Sequence, residues 1–121
     1  MSTDFESTWA TYTAAWKAGS DAERQALLGR AVQPDCHYAD PLVQVEGHQA
    51  LSAYMVDLQR QVPGVHFVTR RFAVHHGRSM AQWHMRDGQA RTVGEGVSFG
   101  EYADDGRLRR MTGFFEVPSA A

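Results

Sequence analysis

The chain has 121 residues, which is enough for one domain with a buried core and too few for two. Hydrophobic residues make up 43% and charged residues 21%, a balance typical of a soluble globular protein and not of a disordered one. The formal net charge of −2 gives no general attraction to nucleic acid or to an anionic membrane, so neither is an expected partner.

Cysteine content and hydropathy indicate the compartment. Cys36 is the only cysteine, which excludes an internal disulfide and a cysteine-based metal cluster. The first residues lack the basic-then-apolar order of a signal peptide, and no run approaches the roughly 18 apolar residues that cross a bilayer. We therefore expect a cytoplasmic protein with one domain over residues 1–121.

The first half of the chain predicts helices. Residues 4–18 carry aromatic side chains at spacings of four, three and four, which form one helical stripe: Phe5, Trp9, Tyr12 and Trp16. Gly19 ends this helix, and Ser20 begins a second one as its cap, with Glu23 three positions later. The predicted buried side of the second helix is Leu27, Leu28 and Val32, and Pro34 ends it.

A short extended piece, residues 36–41, precedes a third helix that opens at Gly47 and is broken by Pro63 and Gly64. The apolar period then changes to two, which predicts four strands: residues 65–76, 78–86, 90–102 and 107–117. The links between them are short and turn-forming, so neighbouring strands must be antiparallel. The predicted fold class is α+β, with three N-terminal helices on one face of a curved antiparallel sheet of four or more strands, enclosing a cone-shaped cavity.

This order of elements resembles the nuclear-transport-factor-2-like superfamily, and within it the branch of SnoaL-like polyketide cyclases and ketosteroid isomerases. The resemblance rests on four segments that together span most of the chain: residues 12–21, 38–41, 46–54 and 99–116. It implies the cone-shaped fold, chemistry without a cofactor, and a homodimer formed through the sheet. It does not fix the reaction, because this fold hosts many activities.

Three positions carry over from the steroid isomerases of that branch. Asp40, in an Asp-Pro dipeptide before the third helix, matches their general base. Tyr12, seven residues before the glycine that follows the first helix, matches their catalytic tyrosine. Ser98, eight residues before Gly106, stands where they have a protonated aspartate that donates to the substrate oxygen. The resemblance therefore implies a site of Asp40, Tyr12 and Ser98 that lacks one strong proton donor.

Each of these residues also has a plain structural interpretation. Asp before Pro is common in turns, so Asp40 is either a base in an apolar cavity or a turn residue. Tyr12 belongs to the aromatic stripe of the first helix, which makes it either a catalytic donor or a core residue. A lone serine in a strand such as Ser98 often has no functional role. The sequence leaves these alternatives open.

Strand alternation indicates which side chains surround the cavity. If Ser98 faces inward, so do Gly94, Gly96 and Gly100, and this row of glycines would leave room for a ligand. The same alternation places two further sets on that face: Ala81, Trp83 and Met85, and Met111, Gly113 and Phe115. We expect the substrate to contact Tyr38, Tyr54, Trp83, Met111 and Phe115, an apolar and aromatic lining with few polar groups.

The remaining charged and titratable residues favour no further chemistry. The histidines show no HxH or HExxH pattern, and His76-Gly77 is typical of a turn, so we expect no metal. Arginines on neighbouring strands are paired with glutamates on a solvated or dimer-facing sheet surface: Arg70, Arg71, Arg107, Arg109 and Arg110 with Glu95, Glu101 and Glu116. Phe99 and Phe114 are expected on the same outer face, which suggests a partner.

Two functions fit this sequence. The first is a cofactor-independent, SnoaL-like enzyme with Asp40 as general base, acting by isomerisation, enolisation or cyclisation on a small hydrophobic carbonyl compound, steroid-like or polyketide-like. The second is a non-catalytic module that uses the same cavity for a ligand or the sheet for dimerisation. The position of the Asp40 side chain separates them, because a base must face the cavity.

Overall fold

The computed structural model describes residues 4–116. The elements in chain order are α1 (Phe5–Ala15), α2 (Asp21–Ala31), β1 (Val32–Ala39), β2 (Gln44–Glu46), α3 (Gly47–Gln61), β3 (His66–His75), β4 (Arg78–Arg86), β5 (Thr92–Tyr102) and β6 (Leu108–Phe114). The strands form one curved sheet in the order β2-β1-β6-β5-β4-β3, and the helices pack on it. The predicted α+β cone is confirmed.

The sheet has six strands and is mixed, where the sequence predicted four antiparallel strands as a minimum. The additional strands are β1 and β2, and β1 runs parallel to β6, with Tyr38 opposite Met111. The β1–β6 register shifts between Val32 and His37, the interval that contains Pro34. Proline has no N–H to donate to a ladder, so it is tolerated at such an irregularity. The predicted extended piece is therefore part of a central strand.

Two helix boundaries differ from those predicted. Val32 was expected on the buried side of α2, but its backbone is extended (φ −135°, ψ 136°) and it begins β1. The first helix ends at Ala15, short of residue 18, because the next residues form tighter turns in which Trp16, Lys17 and Ala18 donate to carbonyls three residues back. Gln59 of α3 closes this end, donating to the carbonyls of Trp16 (2.8 Å) and Ala18 (3.0 Å).

Other local predictions are confirmed. Ser20 caps α2, since its hydroxyl accepts from the backbone N–H of Glu23 at 3.1 Å. His76 (φ 49°) and Gly77 (φ 70°) form the left-handed turn between β3 and β4. None of the helices within residues 4–116 is long and apolar enough to cross a membrane.

Three of the four aromatic residues of the predicted stripe lie in the core, and Phe5 packs against it. Trp9, Tyr12 and Trp16 are all buried, and they pack with side chains from α2, α3 and the inner face of the sheet. The largest fully buried side chains are Leu28, Leu51, Met55, Leu108 and Met111. None of these five side chains lines the cavity described below.

Candidate functional site

An open cavity lies between α1, α3 and the inner face of the sheet, and its volume is about 1160 Å³ when its extension onto the outer face is included. A chain of aromatic contacts forms one wall, in which ring centroids are 5.6 Å apart for Trp16–Phe67, 5.1 Å for Phe67–Trp83 and 6.2 Å for Trp83–Phe115. The cavity continues past the ends of β5 and β6 onto the outer face, where Val97 and Phe114 line it. Its size and aromatic lining suit a small hydrophobic molecule.

Asp40 is a turn residue at the end of β1. Its backbone N–H donates to the carbonyl of Val43 at 3.0 Å, which closes the Asp-Pro-Leu-Val turn. Its Oδ1 accepts from the backbone N–H groups of Leu42 (2.8 Å) and Val43 (3.1 Å). This is the arrangement that aspartate commonly makes in turns. The structural interpretation of Asp40 therefore accounts for one of its two carboxylate oxygens.

The other oxygen of Asp40 lies at the cavity between two tyrosines. Oδ2 accepts hydrogen bonds from the hydroxyls of Tyr38 (2.6 Å) and Tyr54 (2.8 Å). Asp40, Tyr38 and Tyr54 all line the cavity, with Tyr38 on β1 and Tyr54 on α3. A carboxylate offers about four acceptor positions, and all four are filled here. Asp40 is thus both a turn residue and a cavity residue, one oxygen for each role.

The surroundings of the two tyrosines keep their hydroxyls protonated. Burial raises the pKa of Tyr38, and so do Tyr12 and the hydrogen bond to Asp40. Burial likewise raises the pKa of Tyr54, followed by its hydrogen bond to Asp40 and the charge of that carboxylate. A phenolate next to a carboxylate is unfavourable, because two negative charges would share a poorly solvated site. Both tyrosines are therefore donors.

A second polar pair lies on the sheet side of the cavity. The indole N–H of Trp83 on β4 donates to the hydroxyl oxygen of Ser98 on β5 at 3.0 Å. Gly113 of β6 is the neighbour of Ser98 in the β5–β6 register. A Cβ atom at Gly113 would lie 3.5 Å from the Asp40 Cβ, 3.5 Å from the Ser98 Oγ and 3.9 Å from the Tyr38 hydroxyl. Because Gly113 has no side chain, a gap remains in the cavity wall between Ser98 and the Asp40–Tyr38 pair.

Two residues expected at the site lie elsewhere or have other neighbours. Met111 was expected to contact substrate, but it is 1% exposed, belongs to the core and is not among the residues that line the cavity. Tyr12 lines the cavity from α1 and packs against Trp9 at 5.0 Å. Among residues 4–116, the side-chain donors to Asp40 are Tyr38 and Tyr54, and Tyr12 is not one of them.

The row of inward-facing glycines leaves less room than expected. A Cβ at Gly96 would lie 2.5 Å from the ring of Trp83, and one at Gly100 would lie 2.8 Å from Leu108 and 3.2 Å from the ring of Trp9. These side chains already occupy the space that the glycines vacate. Only near Gly94 and Gly113 does the missing side chain leave space next to the cavity without a close contact.

Sequence reasoning missed part of the site. Tyr38 and Tyr54 were expected as substrate contacts and not as donors to Asp40, although Tyr38 is only two residues from Asp40 along the chain. Trp16 and Phe67 were not expected in the cavity wall; the position of Trp16 on the aromatic stripe of α1 was a usable signal. Within the described residues, no group of three or more His, Cys, Asp or Glu is placed to hold a metal ion.

The burial of the tyrosines predicts that they ionise at a higher pH in the folded protein than in the unfolded chain. All four tyrosines of the chain have a raised pKa in the folded protein, and burial, the largest cause, raises that of Tyr102 to about 12. Since unfolded tyrosine has a pKa near 10, the stability from these groups is complete below about pH 10 and is lost as the pH rises toward about 12. We expect native protein to show no tyrosinate absorbance at 295 nm at pH 10.5, and the urea-unfolded chain to show half-titration near pH 10. A tyrosine that titrates near pH 10 in the folded protein would contradict the burial of this cluster.

Comparison with known proteins places this geometry in a family. The family model of the SnoaL-like domain matches residues 9–111. A candidate isomerase of the SnoaL-like family from Agrobacterium tumefaciens is 26% identical with a TM-score of 0.85, covering 93% of this chain and 97% of its own. A candidate SnoaL-like polyketide cyclase from Jannaschia sp. CCS1 is 17% identical with a TM-score of 0.75, covering 93% and 85%.

A third solved structure, TerC co-crystallised with polyporic acid, is 15% identical with a TM-score of 0.74, covering 93% of this chain and 91% of its own. No curated protein matches the chain by sequence. The family model covers well over half of the chain, and the fold of the structural relatives agrees with it. The chain belongs to the SnoaL-like domain family.

Proposed function

We propose that this protein is a cofactor-independent enzyme that moves a proton next to the carbonyl group of a small hydrophobic compound. Asp40 is the general base, and isomerisation, enolisation and cyclisation are the reactions that begin with this step. The observation that carries the proposal is the Oδ2 atom of Asp40, which lies in an aromatic cavity with two tyrosine hydroxyls as its partners. At this position the atom can accept a proton directly from a ligand bound in the cavity.

To take a proton, Asp40 needs a free acceptor position at Oδ2. We assign Tyr54 as the partner whose hydrogen bond to Oδ2 breaks when substrate binds. Tyr38 is 8% exposed, lies on a central strand and makes the shorter hydrogen bond, 2.6 Å. Tyr54 is only half-buried, lies on α3 and donates at 2.8 Å. When a substrate enters, its acidic C–H takes the place of the Tyr54 hydroxyl at Oδ2. The α-proton passes to Asp40, and its bonding electrons form the enolate, whose charge lies on the former carbonyl oxygen.

The enolate oxygen needs hydrogen-bond donors, and the cavity supplies neutral ones. The hydroxyl of Tyr54, once released from Asp40, is free to donate to that oxygen. Ser98 already accepts from Trp83, so its own hydrogen is available for a ligand. Donors that are fixed before the charge develops lower the barrier most, because they need little reorganisation. Serine and tyrosine are weaker donors than the protonated aspartate of the steroid isomerases, which favours substrates with a more acidic α-proton.

The structural relatives support this class of reaction. The candidate isomerase from A. tumefaciens and the candidate polyketide cyclase from Jannaschia sp. both share the fold over more than nine-tenths of this chain. TerC, a further relative in fold, was co-crystallised with an organic compound, polyporic acid. Isomerisation and cyclisation of carbonyl compounds are both initiated by proton abstraction, so Asp40 serves either one.

The proposal can be tested before the natural substrate is identified. In D₂O, a base that abstracts and returns an α-proton replaces hydrogen by deuterium at that carbon. We expect the protein to accelerate loss of the α-proton signal in the ¹H NMR spectra of a panel of bicyclic ketones such as 1-tetralone. The Asp40→Asn variant should not accelerate it. Equal exchange by both proteins, above the buffer rate, would exclude Asp40 as the base.

A second function is favoured by one observation. All four acceptor positions of Asp40 are filled, so the carboxylate is well suited to a structural role in an unreactive ligand-binding module. In that case hydrophobic ketones and phenols would raise the melting temperature of wild type and of Asp40→Asn alike. Neither protein would accelerate deuterium exchange. A ligand-induced shift together with exchange that depends on Asp40 would instead support the enzyme.

We also propose that the protein forms a homodimer through the outer face of the sheet. Phe99 and Phe114 are 45% and 53% exposed there, with ring centroids 5.8 Å apart. Beside them, Glu101 lies 3.7 Å from Arg109 and 3.4 Å from Arg110. A face with an aromatic centre and both charge signs at its edge is self-complementary about a twofold axis.

A Phe99→Glu, Phe114→Glu double variant is expected to be monomeric, because each protomer would place two carboxylates in the centre of the interface. The molar mass from light scattering should fall to half that of wild type. Val74→Glu is the matched control, since Val74 is also an exposed apolar strand residue (43%) outside this aromatic pair. A monomeric wild type at micromolar concentration would rule out this dimer.

A further inference from the structure

We infer that Trp83 is a positioning residue that aims the Ser98 hydroxyl, a donor of the proposed function, into the gap in front of Gly113, which is the part of the cavity that its missing side chain leaves open and in which the substrate oxygen lies. This inference rests on the proposed function and adds the shape and polarity of the substrate. A flat, fused-ring compound with a carbonyl or enol oxygen at one end fits the arrangement. Three contacts carry it, at Gly113, at Ser98 and at Gly96.

The gap at Gly113 is small, buried and polar on two sides. Gly113 is buried in β6, and a Cβ atom built on it would meet its neighbours only at ordinary contact distances of 3.5 to 3.9 Å. The Ser98 Oγ and the Tyr38 hydroxyl are two of these neighbours. A ligand oxygen there can accept from the Ser98 hydroxyl, whereas the Tyr38 hydroxyl donates its hydrogen to Asp40 and can only accept. Gly113 lines the cavity, so a ligand atom packed against it would occupy the space into which a methyl group at this position would project.

Trp83 controls the direction in which Ser98 donates. A serine hydroxyl rotates freely, has one hydrogen and accepts through two lone pairs. The indole N–H occupies an acceptor position of Ser98 at 3.0 Å, and this restricts the directions open to the hydroxyl hydrogen. Accepting one hydrogen bond also strengthens the bond that the same hydroxyl donates. Trp83 therefore acts on the substrate through Ser98, in addition to forming part of the aromatic wall.

Gly96 lets the indole reach Ser98. Trp83 is paired with Gly96 in the β4–β5 register, whereas Ser98 is two residues further along β5. The indole ring lies directly over Gly96, where any side chain would meet it at 2.5 Å. The same ring contacts Phe67 and Phe115, so its face and edge are held in the wall. A planar ligand whose oxygen is above Gly113 would lie along this wall.

The test compares 2-naphthol with 2-methylnaphthalene, which has nearly the same shape but no hydroxyl. The hydroxyl preference is the ratio of their dissociation constants, measured by calorimetry or fluorescence. We expect wild type to prefer 2-naphthol by roughly tenfold, the effect of about one hydrogen bond. Ser98→Ala and Trp83→Phe should each remove most of this preference, and the double variant should lose no more than either single variant.

The ratio of the two dissociation constants separates the positioning of Ser98 by Trp83 from the packing of the Trp83 ring against the ligand. Loss of ring area in Trp83→Phe weakens both ligands equally and cancels in the ratio, whereas loss of the indole N–H does not. Retention of the full hydroxyl preference in Trp83→Phe, or effects of the two single variants that multiply in the double variant, would overturn the positioning role.

Gly113→Ala tests the subsite itself. We expect it to weaken both ligands at least tenfold with an unchanged melting temperature, because the new methyl fills the gap without displacing a neighbour. Gly29→Ala is the control, since its methyl meets nothing within 4 Å on α2. Unchanged binding by Gly113→Ala would overturn the subsite. If Gly113→Ala binds normally and deuterium exchange still depends on Asp40, the subsite is wrong but the proposed enzyme stands. If binding depends on Gly113 and Ser98 but no exchange occurs, the subsite belongs to a non-catalytic protein.

Discussion

Replacing Asp40 by asparagine is expected to lower kcat/KM for α-proton exchange by about 10²- to 10⁴-fold, the usual contribution of a positioned general base. The amide oxygen keeps one acceptor, which is enough for the N–H groups of Leu42 and Val43 at the turn. The amide nitrogen then faces Tyr38 and Tyr54, whose hydroxyls rotate to accept instead of donate. The variant therefore keeps the shape of the site and loses its proton acceptor.

The measurement is the rate of deuterium incorporation at saturating and at low ketone concentration, with circular dichroism to confirm that the variant is folded. Asp35→Asn is the matched control, because Asp35 lies on the same strand but is exposed to solvent. It removes the same charge and should exchange at the wild-type rate. If Asp35→Asn were as slow as Asp40→Asn, the loss would reflect net charge or stability and not the base.

The sequence pattern pointed to Asp40 because its signal is local. An aspartate before proline, at the end of a strand and just before a helix, is read from adjacent positions. Its partner Tyr54 is different, since it is 14 residues away on α3 and meets Asp40 only when that helix packs on the sheet. The helical spacing of Leu51, Tyr54, Met55 and Leu58 predicts that Tyr54 lies on the apolar side of α3, but it does not show which group its hydroxyl contacts.

Strand alternation correctly predicted which face of the sheet a side chain lies on, but not how far that side chain extends. It placed Gly96, Trp83 and Met111 on the inner face, where the structure has them. It did not show that the indole of Trp83 bends over Gly96 and fills the space of the absent side chain. Nor did it show that Met111 lies in the core and not in the cavity wall, because the depth of a residue depends on the curvature of the sheet.

The strand β1 was underestimated for a related reason. Pro34 and Asp35 interrupt the apolar alternation of residues 32–39, so only its end predicted an extended segment. Its parallel partner β6 lies at the other end of the described chain, and no local pattern indicates such a pairing. The position of Tyr38 on a central strand, with Asp40 directly after its end, could therefore not be predicted from the sequence.

Gly96→Ala is expected to destabilise the protein by about 2–4 kcal/mol, a large effect for the addition of one methyl group. The new Cβ would lie 2.5 Å from the backbone carbonyl oxygen of Phe114 and 2.5 Å from the ring of Trp83. The Trp83 ring can change its rotamer to avoid the new methyl group, but the carbonyl of Phe114 in the neighbouring strand moves only if β5 and β6 separate locally. Both responses remove contacts that form the cavity wall.

Gly94→Ala provides the control on the same strand and the same face. Its Cβ would meet only the Met85 side chain, at 3.4 Å and 3.8 Å, which is ordinary contact. We expect its unfolding free energy to stay within about 0.5 kcal/mol of wild type, since alanine also restricts the unfolded chain more than glycine does. Urea denaturation measures both variants. Equal stability of Gly96→Ala and Gly94→Ala would show that the indole does not lie over Gly96, and the orientation of the Ser98 hydroxyl by Trp83 would lose its structural basis.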